Sequence, residues 1–296
     1  MNQLPTDANA ASRLRFDLAR RLTDACPPEL GQEIALTGSA ARGRADDFSD
    51  IELNLWVEQL PRTELWSAWL QTMGGRDIQT KDWEADTGGF HWSVCRFGDI
   101  WAEVGWATLT DFSELVRGLA AGEFAGAARL EMAWTVAQAI PLRTAGALAN
   151  WRATLAHYPD GLAQRIVANQ TAVWADPHVP GVRWALAARG ERMALAMRFL
   201  WDMQNLLRVL FAINHRWDQD LKWTDQRSLD LPLKPDRLSA RIDEMFTLTD
   251  LQQAVEVNQR LIVETLELTS AQGYDVAAAL RSVREGLRVG LAATHP

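Results

Sequence analysis

Hydrophobic residues in the first half of the chain follow both helical and strand periods. Apolar residues at helical spacing predict an amphipathic helix over residues 12–23, and the apolar run EIALT over 33–37 predicts a short strand that ends at Gly38. The segment IELNLWV over 51–57 alternates with period two and predicts a second strand. Another helix is predicted to begin near Pro61 and to end before a Gly-Gly pair, because proline favours a first helical turn and glycine follows helix ends.

The pattern changes further along the chain, after one more pair of predicted strands. Two aromatic-rich segments, FHWSVCRF and IWAEVGWA, flank Gly98 and Asp99 and predict a β-hairpin. From about Thr144 onward apolar residues recur every three or four positions, as in packed helices, and one long helix is predicted from RWALAARGERMALAMRFLWDMQNLLRVLFAINHRW. The sequence therefore predicts an α+β chain, with a mixed-sheet domain over 1–143 followed by an all-α helical bundle over 144–296.

The composition narrows the class of protein. With 296 residues, 48% hydrophobic and 23% charged, the chain can bury real cores, and this composition argues against wholesale disorder. A net charge of -8 and a pI of 5.2 argue against a protein that binds long nucleic acids, including an RNA end-adding enzyme. The N-terminal segment lacks the apolar core typical of a signal sequence, no run of about 18 apolar residues occurs, and two cysteines cannot build a disulfide scaffold. We therefore expect a cytoplasmic protein with no membrane partner.

Two acids, Asp50 and Glu52, stand at the start of the second predicted strand. Residues two apart on a strand point to the same face, so these side chains project together, opposite the apolar row that begins at Ile51. Neighbouring carboxylates repel each other unless a cation lies between them, and oxygen ligands suit Mg²⁺. A strand with acids on its solvent face would show the same pattern.

A glycine-serine pair, Gly38-Ser39, directly follows the first predicted strand. Glycine lets backbone N–H groups approach a phosphate closely, and the segment after it can begin a helix whose positive end favours anions. Arg42 and Arg44 add positive charge nearby. A phosphate-binding turn followed by a strand with paired acids favours a site for a nucleotide and its metal.

The segment GSAARGRADDFSDIEL resembles the signature of the polymerase-beta-like nucleotidyltransferase superfamily: a glycine-serine pair, a spacer, then acid-apolar-acid-apolar. Its ARG and SDIEL elements are most similar to the stand-alone type, which includes aminoglycoside adenylyltransferases and minimal nucleotidyltransferases. The resemblance implies nucleotide binding and magnesium binding by two sets of residues. Gly38 and Ser39 would hold the triphosphate, and Asp50 and Glu52 would bind the metal. Arg42 and Ser49 of the same segment are further predicted nucleotide-binding residues.

The superfamily also implies a third carboxylate on a later strand. Asp99 and Glu103 both lie in the predicted hairpin. Asp99 is explained by the turn itself, where aspartate forms local hydrogen bonds, whereas the charged side chain of Glu103 in the middle of a strand has no structural explanation. We therefore favour Glu103 as the third metal ligand and as the base that acts on the acceptor hydroxyl, with Asp99 as the alternative. The helical half resembles the helical domain of aminoglycoside-type adenylyltransferases, which implies that Lys222 contacts the phosphates. An exposed surface lysine is the other interpretation.

Together these features predict a magnesium-dependent nucleotidyltransferase with two Mg²⁺ ions. It would transfer a nucleoside monophosphate, AMP from ATP by preference, to a hydroxyl and release pyrophosphate. A small-molecule acceptor is favoured, and a protein acceptor is the alternative. A second hypothesis is a nucleotide-binding regulatory or antitoxin-like module with little turnover. The sequence does not decide the acceptor, the choice of triphosphate or the oligomeric state.

Overall fold

A six-stranded mixed sheet with flanking helices makes up the first part of the chain, and helices make up the described part of the rest. The computed structural model describes residues 3–85, 88–123, 127–217 and 230–294. This architecture confirms the predicted α+β class. None of the helices in these four ranges is long and apolar enough to cross a membrane.

The sheet has the strand order β3-β4-β5-β2-β1-β6. Strands β2 and β5 pair in parallel, and all other neighbours are antiparallel. The two strands predicted at 33–37 and 51–57 and the predicted hairpin are confirmed, whereas two edge strands escaped prediction. The strands are β1 (Glu33–Thr37), β2 (Ile51–Val57), β3 (Arg76–Ala85), β4 (Gly88–Phe97), β5 (Ile100–Thr108) and β6 (Ile140–Arg143).

Six α-helices accompany the sheet in the described part of the first of two compact units, Met1–His157. They are α1 (Ala10–Ala25), α2 (Gly38–Ala41), α3 (Thr63–Thr72), α4 (Leu109–Ala120), α5 (Ala127–Gln138) and α6 (Ala147–Leu155). One face of the sheet carries the apolar row of β2 and packs with α1 and α3 into a hydrophobic core. This burial is the main force that fixes which face of β2 points inward.

Helices α4 and α6 cover one part of the opposite face. The Trp56 ring on β2 lies 5.2 Å from both Phe112 of α4 and Trp151 of α6, measured between ring centroids. Trp56 points to the same face as Glu52 because the two are four residues apart on one strand. Glu52 itself is only half-buried, so the start of β2 is the accessible part of this face.

A buried carboxylate ties α6 to β1. Glu33 is fully buried, and its Oε1 accepts hydrogen bonds from the Thr144 hydroxyl at 2.5 Å and from the Leu148 N–H at 3.2 Å. Its Oε2 accepts from the N–H groups of Ala145 and Ala147, at 2.8 and 3.1 Å. The carboxylate thus satisfies N–H groups that the first turn of a helix leaves without partners, and it attaches α6 to the sheet.

The second compact unit, Tyr158–Pro296, contains helices in its described part. The single long helix predicted from the apolar pattern is wrong, because it is two helices separated at Gly190, which has φ +73°. A glycine with this backbone angle ends a helix without steric cost. The helices are α7 (Asp160–Ala175), α8 (His178–Ala188), α9 (Arg192–Ile213), α10 (Leu238–Thr247), α11 (Leu251–Ala271) and α12 (Ala277–Thr294).

Two glycines of α12 allow a close approach of α8. A Cβ atom added at Gly290 would lie 2.0 Å from the Trp184 ring, and one at Gly286 would lie 2.3 Å from Pro180. We expect Gly290→Ala and Gly286→Ala each to lower the free energy of unfolding by about 1–3 kcal/mol, because a methyl group there forces the helices apart. Urea denaturation followed by circular dichroism would measure this.

Gly181 provides the matched control for these variants. It lies in α8, and an added Cβ would meet no atom within 4 Å. Gly181→Ala should therefore raise the free energy of unfolding by roughly 0.5–1 kcal/mol, the usual gain in an exposed helix. Equal changes at positions 181 and 290 would contradict the close packing of α8 on α12.

Candidate functional site

Glu52 and Glu103 lie side by side on neighbouring strands. In the parallel pairing of β2 with β5, Glu52 is in register with Glu103, and both side chains are half-buried. Residues in register on adjacent parallel strands point to the same face, with their backbones about 4.8 Å apart. Two carboxylates therefore share the face of the sheet opposite the main core, which we call the carboxylate face.

Gly38 lies directly against the Glu52 carboxylate. It has φ +69°, and a Cβ atom added to it would lie 2.1 Å from Glu52 Oε1 and 2.8 Å from Oε2. The sequence suggested that this glycine allows backbone contact with a phosphate. The structure gives it a further role, since any side chain at this position would displace the carboxylate.

Two polar residues that were not predicted as site residues form a hydrogen-bonded chain that leads to the same carboxylate. Thr37, the last residue of β1, is in register with Glu52, and its Oγ1 lies 3.4 Å from Glu52 Oε2. Asn54 donates a hydrogen bond from Nδ2 to Thr37 Oγ1 at 2.8 Å. The sequence contains one indication of the role of Asn54. It follows Glu52 by two positions, and residues two apart on a strand point to the same face.

Asp50 directly precedes β2 and is half-exposed at the end of a braced loop. In this loop the Ser49 hydroxyl donates to Asp46 Oδ1 at 2.8 Å and accepts from the Asp46 N–H at 2.9 Å. The hydrogen bond from Ser49 is the main reason why the pKa of Asp46 is lowered. Arg15, which is buried in α1, donates to the Ser49 carbonyl at 2.8 Å. The Ser49 hydroxyl, predicted to bind nucleotide, thus has a local structural partner.

The other predicted nucleotide-binding residues have varied positions. Ser39 is buried in the one-turn helix α2. Arg42 follows that helix, and its guanidinium lies 4.8 Å from the centroid of the Trp134 ring on α5, a cation–π contact. Lys222 lies outside the described residues.

Asp99, the alternative third acid, occupies the turn between β4 and β5. Its side chain is fully exposed, and a carboxylate oxygen lies 3.4 Å from the guanidinium of Arg96. Glu103 is four residues further along, a separation of about 13 Å on a strand. The register therefore brings Glu103, rather than Asp99, to Glu52.

The carboxylate face fits a magnesium ion by its chemistry. Among the described residues, no three His, Cys, Asp or Glu side chains form a ready-made metal cluster, so Asp50 does not complete one with Glu52 and Glu103. Mg²⁺ needs only one or two carboxylates when substrate phosphates and waters supply its other ligands. The Glu52–Glu103 pair meets this requirement, and the assignment of all three acids as ligands stays a prediction.

The two cysteines do not offer an alternative nucleophile. Burial raises the pKa of the Cys26 thiol to about 11 and that of Cys95 to about 12. Since the thiolate is the reactive form, neither thiol is a good nucleophile or metal ligand near neutral pH. The oxygen groups of the carboxylate face are therefore the better candidates for chemistry.

Gly38→Ala tests the packing of Gly38 on Glu52. The added methyl would lie 2.1 Å from Oε1. On the prediction that the carboxylate face binds magnesium with ATP, we expect the variant to weaken that binding by about tenfold or more, because the carboxylate must move. Isothermal titration calorimetry of Gly38→Ala and of the unmodified protein would measure this.

Gly98→Ala is the control for backbone strain alone. Gly98 has φ +64°, close to that of Gly38, but no atom lies within 4 Å of an added Cβ. Both substitutions strain the backbone, whereas only the one at Gly38 reaches a carboxylate. If Gly98→Ala weakened binding as much as Gly38→Ala, the specific contact with Glu52 would not be the cause.

Comparisons with known proteins leave the function open. No curated protein matches the chain. A family described as a domain of unknown function (DUF4037) matches residues 129–224, less than half of the chain. Among solved structures the chain is similar to a nucleotidyltransferase-like protein from Exiguobacterium sibiricum 255-15, at 13% sequence identity. The match covers 94% of this chain and 79% of that chain, and its TM-score is 0.37. A likeness of this degree assigns neither an activity nor a site.

Proposed function

We propose that the protein is a magnesium-dependent nucleotidyltransferase that transfers AMP from ATP to a hydroxyl group. The observation that carries the proposal is the register of Glu52 with Glu103 on adjacent parallel strands, beside the Gly38-Ser39 turn. This arrangement supports the roles that the sequence suggests for the same residues. A small molecule is the favoured acceptor.

Glu52 and Glu103, with Asp50 nearby, would hold the magnesium ions. When bound, Mg²⁺ would neutralise charge on the triphosphate. The backbone around Gly38 and Ser39 would contact the phosphates, and Arg42 would add positive charge. Glu52 stands at the start of β2, which Asp50 directly precedes, Glu103 lies within β5, and Gly38 and Ser39 directly follow β1.

Glu103 would act as the general base. The acceptor hydroxyl gives its proton to the Glu103 carboxylate, and its oxygen forms a bond to the α-phosphorus of ATP. The bond from that phosphorus to the oxygen bridging the β-phosphate breaks, and pyrophosphate leaves with the electron pair. Because Glu103 is half-buried and faces the same side as Glu52, one substrate position could lie within reach of both carboxylates.

Labelled ATP tests the proposal most directly. The full chain is incubated with magnesium, α-labelled ATP and a panel of hydroxyl-bearing metabolites, antibiotics and proteins, and products are followed by mass and by pyrophosphate release. We expect a labelled AMP adduct on one class of acceptor. Tight ATP binding without pyrophosphate release would favour the regulatory module instead, and absence of ATP binding would overturn both.

A further inference from the structure

We propose that Thr37 and Asn54 are a positioning pair that holds the Glu52 carboxylate in place for a divalent cation. The inference rests on the proposed function, since it concerns the same carboxylate. Neither residue would contact the cation itself. Each would act through Glu52, from the strand beside it and from two positions further along its own strand.

The direction of the hydrogen bonds supports this role. Asn54 Nδ2 can only donate, so Thr37 Oγ1 accepts its hydrogen bond at 2.8 Å. The single proton of the threonine hydroxyl is then left to donate. Its acceptors belong to Glu52, the carboxylate oxygen Oε2 and the main-chain carbonyl, each at 3.4 Å. Asn54 thus turns the hydroxyl into a donor toward Glu52.

Gly38 also confines Glu52. The space that a Cβ of Gly38 would need is occupied by the carboxylate, with Oε1 nearest. The Thr37 hydroxyl approaches the other oxygen, Oε2. The carboxylate therefore has both a glycine and a directed hydroxyl as close neighbours, a form of preorganisation that a ligand-binding side chain requires.

A purely structural role for the pair explains less. Strands β1 and β2 are paired along five consecutive residues of β1, so backbone hydrogen bonds already hold Thr37 beside Glu52. A threonine hydroxyl that is almost fully buried costs desolvation and adds little to this ladder. The pair's hydrogen bonds end on Glu52, which is where an effect of removing them should appear.

Manganese binding tests the positioning role without an acceptor. Mn²⁺ is titrated into the full chain in the presence of α,β-methylene-ATP, which cannot be cleaved at the relevant bond, and free Mn²⁺ is measured by electron paramagnetic resonance. Thr37→Val keeps the shape of the side chain but removes the hydroxyl. We expect this variant to bind Mn²⁺ about 10–100-fold more weakly, the usual effect of losing an outer partner of a metal ligand.

Three further variants separate positioning from general damage. Thr37→Ser retains the hydroxyl and should restore binding to within a few-fold. Asn54→Leu should weaken binding in the same direction, and the double variant with Thr37→Val should be less than additive because both act through one network. Thr80→Val removes a different hydroxyl of the same sheet, which lies 2.9 Å from Ser93 Oγ, and should leave Mn²⁺ binding unchanged.

The outcomes distinguish this inference from the proposed function. If the unmodified protein does not bind Mn²⁺ with the nucleotide, the proposed function fails and the inference fails with it. If that protein binds but Thr37→Val binds equally well, only the positioning role is overturned. Equal weakening in Thr37→Val, Thr37→Ser and Thr80→Val would also overturn it, because the effect would then be general damage to the sheet. Urea denaturation of each variant verifies the fold.

Discussion

Glu103→Gln is expected to lower the rate of AMP transfer by about 10²–10⁴-fold, the usual contribution of a general base. Glutamine has nearly the same shape as glutamate, but its amide cannot take the proton of the acceptor hydroxyl. The parallel register with Glu52 should persist, since it depends on the backbone of β2 and β5. Initial rates of pyrophosphate release, with the acceptor found by the labelled-ATP panel, would measure the loss.

Companion variants make this result specific. Glu52→Gln and Asp50→Ala should also abolish transfer, and Glu52→Gln should in addition weaken Mn²⁺ binding, because a neutral amide is a poorer cation ligand. Glu58→Gln is the control, since Glu58 is exposed just beyond the end of β2 and should leave the rate unchanged. An active Glu103→Gln enzyme would remove Glu103 from the mechanism, and Asp99 would then be the next residue to replace.

The sequence predicted the central strands better than the edges of the sheet. Strands β1 and β2 have clean apolar patterns because they pack on the main core. Strand β3 and the four-residue β6, which contains Pro141, lie at the two edges, where strands are short or polar and proline is tolerated. Their weak patterns follow from this position. The break between α8 and α9 had a readable signal in Gly190, but the apolar pattern continues across it.

The site could be predicted as residue types but not as contacts. The alternation of side chains along a strand predicted that Asp50 and Glu52 point to the same face. Glu103 was unusual because it is a charged residue in the middle of a strand. The parallel register that pairs Glu103 with Glu52 is a long-range property, since the two strands are joined through β3 and β4. The contact of Gly38 with the Glu52 carboxylate was equally hidden, because a sequence shows that a glycine is present but not which atom fills its missing side chain.

Asp202→Leu is expected to lower the free energy of unfolding by about 3–5 kcal/mol, the cost of leaving a buried charge without its partner. Asp202 of α9 and Arg183 of α8 are both buried. The guanidinium donates to both carboxylate oxygens, at 2.8 and 2.5 Å, and Trp174 Nε1 donates to Oδ1 at 2.9 Å. Since domains are stable by only about 5–15 kcal/mol, this loss should be plain in urea denaturation.

The double variant Arg183→Met with Asp202→Leu separates the ion pair from its surroundings. With both charges removed, most of the stability should return, although the Trp174 indole would still lack an acceptor, which costs about 1–3 kcal/mol. Glu285→Gln is the surface control, since the Glu285–Arg288 pair is well exposed and its loss should change stability little. A double variant as unstable as Asp202→Leu would show that the pair itself contributes strongly. An unchanged Asp202→Leu protein would contradict the buried pair altogether.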